Sequence, residues 1–237
     1  PVIYDGNDKD AAEVIAAKAK ELGSPAYKVI QAGAKVLGNN KDGIDFSLED
    51  DYYGDTRFHI PFIAWYQVMN ASLALTTMEV LKDRIPVTME QLQAGIANTR
   101  WQGRMETILP GVIVDGAHNE DGVRRFVETA ERFQKEYPLT LLFSAVNDKD
   151  YQDMIHTICS RIKFRKVVTT EVGGYREVPS AELAEIFCKE GCKDIGNSDN
   201  IEEAFHMAHE AKGEDGMLFC VGSLYLVGEI KTLLLKK

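Results

Sequence analysis

From about residue 104 onward, short β-branched apolar runs alternate with stretches of helical period, and few folds accommodate that alternation. The runs are Val112–Val114, Leu139–Val146, Phe164–Thr170 and Met217–Val221, with a weaker one at Lys193–Gly196. Between them, Val123, Phe126, Val127, Ala130 and Phe133 recur at three- and four-residue intervals, as do Tyr151, Met154, Ile155, Ile158, Cys159 and Ile162. Two further helices start at Ser180, read as an N-cap directly after Pro179, and at Asn200, with Glu203 three residues on as in a capping box. A last helix carries Leu226, Val227, Ile230, Leu233 and Leu234 on one stripe. Strands that are apolar throughout, each followed by a helix, imply a mostly parallel sheet covered on both faces. Right-handed crossovers make it a doubly wound, Rossmann-like α/β domain. The chain has no GxGxxG, so a dinucleotide is not indicated.

Residues 1 to about 98 have a different texture. "PVIY" reads as a strand, Asp10–Leu22 as an alanine-rich helix and "AYKVIQAG" as a second strand. The polar, turn-rich "LGNNKDGIDFSLEDDYYGDTRFH" reads as a hairpin or loop excursion. Helices follow at Gln67–Leu81 and after the capping box Thr88–Gln91. A boundary is expected near Asn98–Gly103. The chain opens on Pro1 in an extended segment, which reads as part of a longer polypeptide.

A formal charge of -10 argues against a broad nucleic-acid surface, while leaving room for a small basic pocket. No apolar run approaches the roughly 18 residues needed to cross a bilayer. Cys159, Cys188, Cys192 and Cys220 lack paired spacing, and no secretory signal precedes them, so they read as reduced thiols of a cytoplasmic protein. Zinc held by Cys188, Cys192, His206 and His209 is the weaker reading, because the cysteines lack a CxxC spacing.

The stretch "VIVDGAHNEDG" (Val112–Gly122) is the most informative. A buried strand ends on Asp115, then turns through Gly116 and Ala117 to His118 and Asn119, which is suited to cap the following helix. In open α/β sheets, ligands bind beyond the carboxyl ends of strands. An ionised acid there can accept two hydrogen bonds from a ribose diol. Asp115 and His118 are therefore expected to face an open cleft. The scaffold alternative is that Asp115 and Asn119 only satisfy the turn. Glu120 and Asp121 in the first helical turn would repel a naked phosphate, so the phosphate cradle must lie elsewhere. No GxxxxGK[ST] occurs, nor any Gly-Lys pair.

"RWQGRMETILPGVIVDGAHNEDG" (Arg100–Gly122) resembles the W-x-G-R-x-E and D-x-A-H-N motifs of folylpolyglutamate synthase/dihydrofolate synthase, in the Mur ligase superfamily. "NDKDYQDMI", "CVGSLYLVGEI" and "YQVMNASLALTTMEVL" resemble further motifs of that family in the same order, over nearly the whole chain. The resemblance implies the trailing part of a P-loop-type ATPase domain (residues 1–98), a hinge (99–103) and a terminal Rossmann-like domain (104–237). It implies an ATP-dependent ligase that joins L-glutamate to folate, with dihydropteroate as a further acceptor, through an acyl phosphate and with Mg²⁺. Carried over, Asn70, Arg104 and Asp115 would bind ATP, His118 would stand at the reacting group, and Ser223 would help place glutamate. The enzyme would be a monomer.

Other readings stand beside these roles. Arg104 could pair with Glu106, Ser223 could cap the last helix, Trp101 suits interdomain packing, and Lys149 is structural or solvated unless it touches substrate. The family's histidine before Gln67 is Tyr66 here, which bears on Asn70. The family's phosphate loop and Mg²⁺ ligands would lie upstream of Pro1, so the isolated chain is expected to be inactive. Another Mur-type amino-acid ligase and a non-catalytic Rossmann-like binding module are the competing functions.

Overall fold

A computed structural model describes residues 1–40, 42–174 and 176–235. The chain forms two compact units, Pro1–Arg100 and Trp101–Lys237, dividing inside the 99–103 segment expected as a hinge.

In the first unit, β1 (Val2–Asp5), α1 (Lys9–Glu21) and β2 (Ala26–Val29) form one parallel crossover, with Val2 opposite Ala26. Asp8 starts α1 by accepting the Ala11 N–H at 3.0 Å. The polar stretch expected as a hairpin or loop is a three-stranded antiparallel sheet of β3 (Ala34–Asn40), β4 (Gly43–Leu48) and β5 (Phe58–Ile60). Its signal lies in alternation: Ile44, Phe46 and Leu48 point inward between polar neighbours. They share a core with Phe58, Ile60 and residues of α2 (Tyr66–Val80) and α3 (Met89–Ala97). The capping box of α3 forms as read: Thr88 and Gln91 each accept the other's backbone N–H.

The second unit runs β6 (Glu106–Leu109), β7 (Val112–Asp115), α4 (Glu120–Phe133), β8 (Leu139–Phe143), α5 (Tyr151–Arg161), β9 (Phe164–Thr170), α6 (Ser180–Lys189), β10 (Ile195–Ser198), α7 (Ile201–Lys212), β11 (Met217–Val221) and α8 (Leu224–Leu235). The sheet order is β10-β9-β8-β11-β7-β6, parallel except for β6, which pairs antiparallel with β7. Alternate residues serve opposite faces. Val112, Val114, Leu218 and Cys220 pack against α7 and α8 through Phe205, Leu226 and Ile230. On the other face Phe219 meets Phe126 of α4, and Phe143 meets Phe187 of α6. Both faces are covered, so the domain is doubly wound as expected.

Three details depart from the sequence reading. The box at Asn200 is half made: Asn200 Oδ1 accepts the Glu203 N–H at 3.1 Å, but the Asn200 N–H donates to Ser198 Oγ at 3.1 Å and Glu203 Oε2 accepts the Ser198 hydroxyl at 2.9 Å. Edge strand β6 was not anticipated, because "ETIL" has no run of β-branched residues. Ser180 is not a cap: α6 has Pro179 at its N-cap position, the Ser180 N–H donates to Glu171 Oε1 at 3.3 Å, and the hydroxyl donates to Asp199 Oδ1 at 2.5 Å. A distant carboxylate thus takes the orphan donor that a local hydroxyl would have taken. Among the described residues, no helix is long and apolar enough to cross a membrane.

Candidate functional site

The carboxyl ends of β7, β11 and β8 lie side by side, so three loops converge at one edge of the sheet. The first follows β7. Asp115 reaches the strand end as expected, but its carboxylate turns inward and is only 5% exposed. One oxygen accepts the Ala117 N–H and the other the Met105 N–H, each at 2.8 Å. Burial pushes the carboxyl up to about 6, while the two backbone donors and the charges of Arg104 and His118 pull it down. The open grip on a ribose diol is therefore not what the structure presents, because both oxygens are engaged with backbone.

What Asp115 holds is the approach to Arg104. Met105 is fully buried and has φ of 46°, a left-handed conformation that costs a non-glycine residue about 1–2 kcal/mol. Its N–H bond to Asp115 fixes that conformation. On the other side, Gly103 O accepts the Gly116 N–H at 2.8 Å, and Gly103 N–H donates to Glu106 Oε2 at 2.8 Å. Lys231 of α8 pairs with Glu106 Oε1 at 2.7 Å. That pairing removes the alternative partner of Arg104. The arginine is exposed and forms no ion pair among the described residues, standing between two pinned neighbours. Gly116 lets Leu224 pack closely, since a Cβ would lie 2.2 Å from Leu224 Cδ2 and require that side chain to move.

His118 follows in the same turn. Its Nδ1 lies 2.7 Å from Gly116 O. A carbonyl only accepts, so Nδ1 carries the proton and Nε2 is left with a lone pair in the neutral ring. Asn119 caps α4, accepting the Gly122 N–H at 2.8 Å. The imidazole lines a cavity of about 470 Å³, within the range of small-ligand sites. Its other walls come from Glu120, from Asp148, Lys149 and Asp150 beyond β8, and from α5. Asp150 starts α5 by accepting the Asp153 N–H at 3.2 Å, and Asp148 pairs with Arg176 at 3.1 Å. Lys149 is exposed and has no ion-pair partner among the described residues. The α5 wall, Asp153, His156 and Thr157, was missed in the sequence; only the adjoining D-K-D pointed toward it.

The remaining expected residues are more scattered. Ser223, beyond β11, is buried and accepts the Tyr225 N–H at 3.1 Å, which starts α8. Gly222 before it has φ of 112°, and a Cβ there would sit 2.0 Å from Ser144 O, so the β11 and β8 loops touch backbone to backbone. Asn70 belongs to the first unit, exposed on α2, where its amide donates to Gln67 Oε1 at 2.8 Å. Trp101 is 60% exposed. Among the described residues no cluster of three His, Cys, Asp or Glu could hold a metal, so the sketched zinc site does not form.

The family description "Mur ligase, glutamate ligase domain" matches residues 103–224, which contain the Arg104 clamp, the Asp115 turn and the cavity. The chain belongs to the Mur ligase family. The dihydrofolate synthase/folylpolyglutamate synthase of Bacillus subtilis is 28% identical, over 98% of this chain and 54% of the relative. The folylpolyglutamate synthase of Thermotoga maritima superposes with a TM-score of 0.79 at 24% identity, covering 99% of this chain and 54% of that one. The Mycobacterium tuberculosis folylpolyglutamate synthase, solved with ADP and AMPPCP, gives 0.74 at 22% identity over 95% and 53%. Those two likenesses are of fold. This Mur ligase chain spans about half the length of the curated relatives it matches.

Proposed function

We propose that this chain is the glutamate-accepting part of an ATP-dependent folate–glutamate ligase, with dihydropteroate as a further acceptor. The observation that carries the reading is the pinned Arg104: a guanidinium held exposed beside Asp115, at the strand edge that also bears the His118 cavity. A guanidinium fork suits a transferring phosphoryl group. Asp115 then serves the nucleotide side by positioning Arg104, and Asn70, exposed on α2, is by itself a candidate contact to ATP in the first unit. Residues 1–98 correspond to the trailing part of the ATPase domain, 99–103 to a hinge and 104–237 to the terminal domain.

The first unit supports the view that more of the ATPase sheet belongs with this chain. Parallel strands are normally covered on both faces, and two alone are rarely stable. Yet Tyr27 and Ile30, on and beside β2, are 40% and 43% exposed. Further parallel strands with their crossover helices would cover them and bring the phosphate loop that this sequence lacks. Without that loop the chain alone turns over no ATP. Mg²⁺ enters with the ATP on ligands outside this chain; the described residues contain no group of three His, Cys, Asp or Glu placed to hold a metal.

In the ligation, a folate carboxylate activated as its acyl phosphate is attacked by the amine of L-glutamate. The C–N bond forms, the bond to phosphate breaks, and the amine proton passes to His118 Nε2. The cavity suits the amino acid better than a polyphosphate: Glu120, Asp148, Asp150 and Asp153 favour its ammonium, and unpaired Lys149 its carboxylates. The test is glutamate-dependent ADP release by the ligase containing this chain, with dihydropteroate, a reduced folate or a cell-wall precursor as acceptor. Lys149→Met is expected to raise the glutamate KM at least ~10-fold with the ATP KM unchanged. Turnover only with the cell-wall precursor would replace the folate reading, and an unaltered glutamate KM would remove the cavity from it.

A further inference from the structure

Two cysteines far apart in sequence meet on the side of the second unit. Cys159, near the end of α5, and Cys192, just past α6, place their Sγ atoms 3.6 Å apart. Both are half-buried. The approach is set by helix geometry. Glu190 N–H returns to Ile186 O at 3.0 Å and Cys192 N–H to Phe187 O at 3.1 Å, closing the end of α6 around Gly191 with φ of 92°. One turn earlier on α5, His156 Nδ1 lies 2.9 Å from Glu190 Oε2, a second link between the same two elements. The sulfurs sit on capped, doubly tied backbone, and bonding them requires an approach of about 1.6 Å, to the usual S–S length of about 2.0 Å.

We propose that Cys159 and Cys192 form a reversible intramolecular disulfide, exchanged with low-molecular-weight disulfides such as that of glutathione. The Cys192 thiolate attacks the glutathione disulfide and one glutathione thiolate leaves, giving a mixed disulfide on Cys192. Cys159, losing its proton to water, then attacks the Cys192 sulfur and expels the second glutathione thiolate. Two protein thiols are oxidised and one disulfide is reduced to two thiols, so electrons and protons balance. The direction of attack follows from the contact, in which either thiol can donate: it lowers the Cys192 pKa, and with burial it raises that of Cys159. The other two cysteines are internal controls. Cys188 is exposed and Cys220 fully buried, each without a hydrogen-bonded thiol partner among the described residues. The bond would fasten α5, whose Asp153, His156 and Thr157 line the cavity, to the end of α6.

The experiment titrates the 237-residue chain with mixtures of reduced and oxidised glutathione, alkylates the remaining thiols and maps the peptides by mass spectrometry. The expected product is a Cys159–Cys192 cross-linked peptide two hydrogens lighter than its thiols. It should reach half-formation at roughly ten-fold less glutathione disulfide than Cys188 needs for its mixed adduct, because closure is intramolecular. Reducing agent restores both thiols. C188S leaves the cross-link in place, whereas C159S traps glutathione on Cys192. The inference is overturned if Cys159 and Cys192 are recovered as separate thiols or separate adducts while Cys188 is fully modified. A cross-link that requires Cys188 overturns it equally.

Discussion

Replacing Asp115 by asparagine tests the inward-turned carboxylate directly. Burial lifts this carboxyl from its ordinary 3.8 to about 6. A group whose pKa is higher in the folded state favours folding while protonated, and that advantage is lost as pH rises through the folded value. At about 1.4 kcal/mol per unit of pKa, ionising Asp115 weakens the native state by about 3 kcal/mol in all, about 2 kcal/mol of it between pH 4 and 6. The amide introduced by D115N does not titrate, so subtracting the two unfolding curves cancels every other acid in the chain. The natural chain should therefore lose about 1 kcal/mol per pH unit relative to D115N between pH 4 and 6, levelling by pH 7. At low pH the variant starts with an offset of about 1–3 kcal/mol against it, because its amide N–H meets one of the backbone donors of Met105 and Ala117. The slope is independent of that offset. Urea unfolding followed by circular dichroism from pH 4.5 to 7.5 measures it. A difference that does not vary with pH would mean an ordinary, solvated carboxylate and would refute the positioning argument built on it, whereas one that runs the other way would mean that the backbone donors and Arg104 outweigh burial.

Three further outcomes follow from the same geometry. Arg104→Ala should cut ligase turnover at least ~100-fold with little change in thermal stability, since the side chain is exposed and unpaired; a nuclear-resonance titration should show the Asp115 carboxyl moving upward, because a charge that lowered it is gone. His118→Gln should lower kcat by about 10²–10⁴-fold with a smaller change in the glutamate KM, and unchanged kcat would remove it as the proton acceptor. Gly222→Ala should destabilise the second unit by about 3 kcal/mol or more in denaturant unfolding, combining a Cβ at 2.0 Å from Ser144 O with a left-handed φ.

The candidate site was partly legible in advance. The turn after Val114 was recognisable because a β-branched run, an acid, two small residues and a helix cap are all local signals, and Asn119 caps α4 as read. The direction of the Asp115 side chain was not, because it is decided by Met105, ten residues upstream, which edge strand β6 folds back against β7. The same holds for Ser180, whose hydroxyl is claimed by Asp199 rather than by its own helix start. Lys149 was visible as part of a D-K-D motif, whereas the α5 residues facing it were not, since periodicity identifies a core face and says nothing of which outward residues border a cavity.

By itself the sequence determined the alternation of strands and helices in the second unit, the capping at Thr88, Asn119 and Asn200, and the motif order of the family. These are near-neighbour properties, fixed by side-chain period and by hydrogen bonds a few residues long. Only the tertiary structure decided that the last strand enters between β8 and β7, and so which loops share an edge. It also decided that Asp115 grips backbone instead of facing outward, and that Cys159 meets a cysteine 33 residues away. Each of these depends on which distant strand or helix end arrives beside a given residue, a choice made by burial of the whole sheet rather than by local conformational preference.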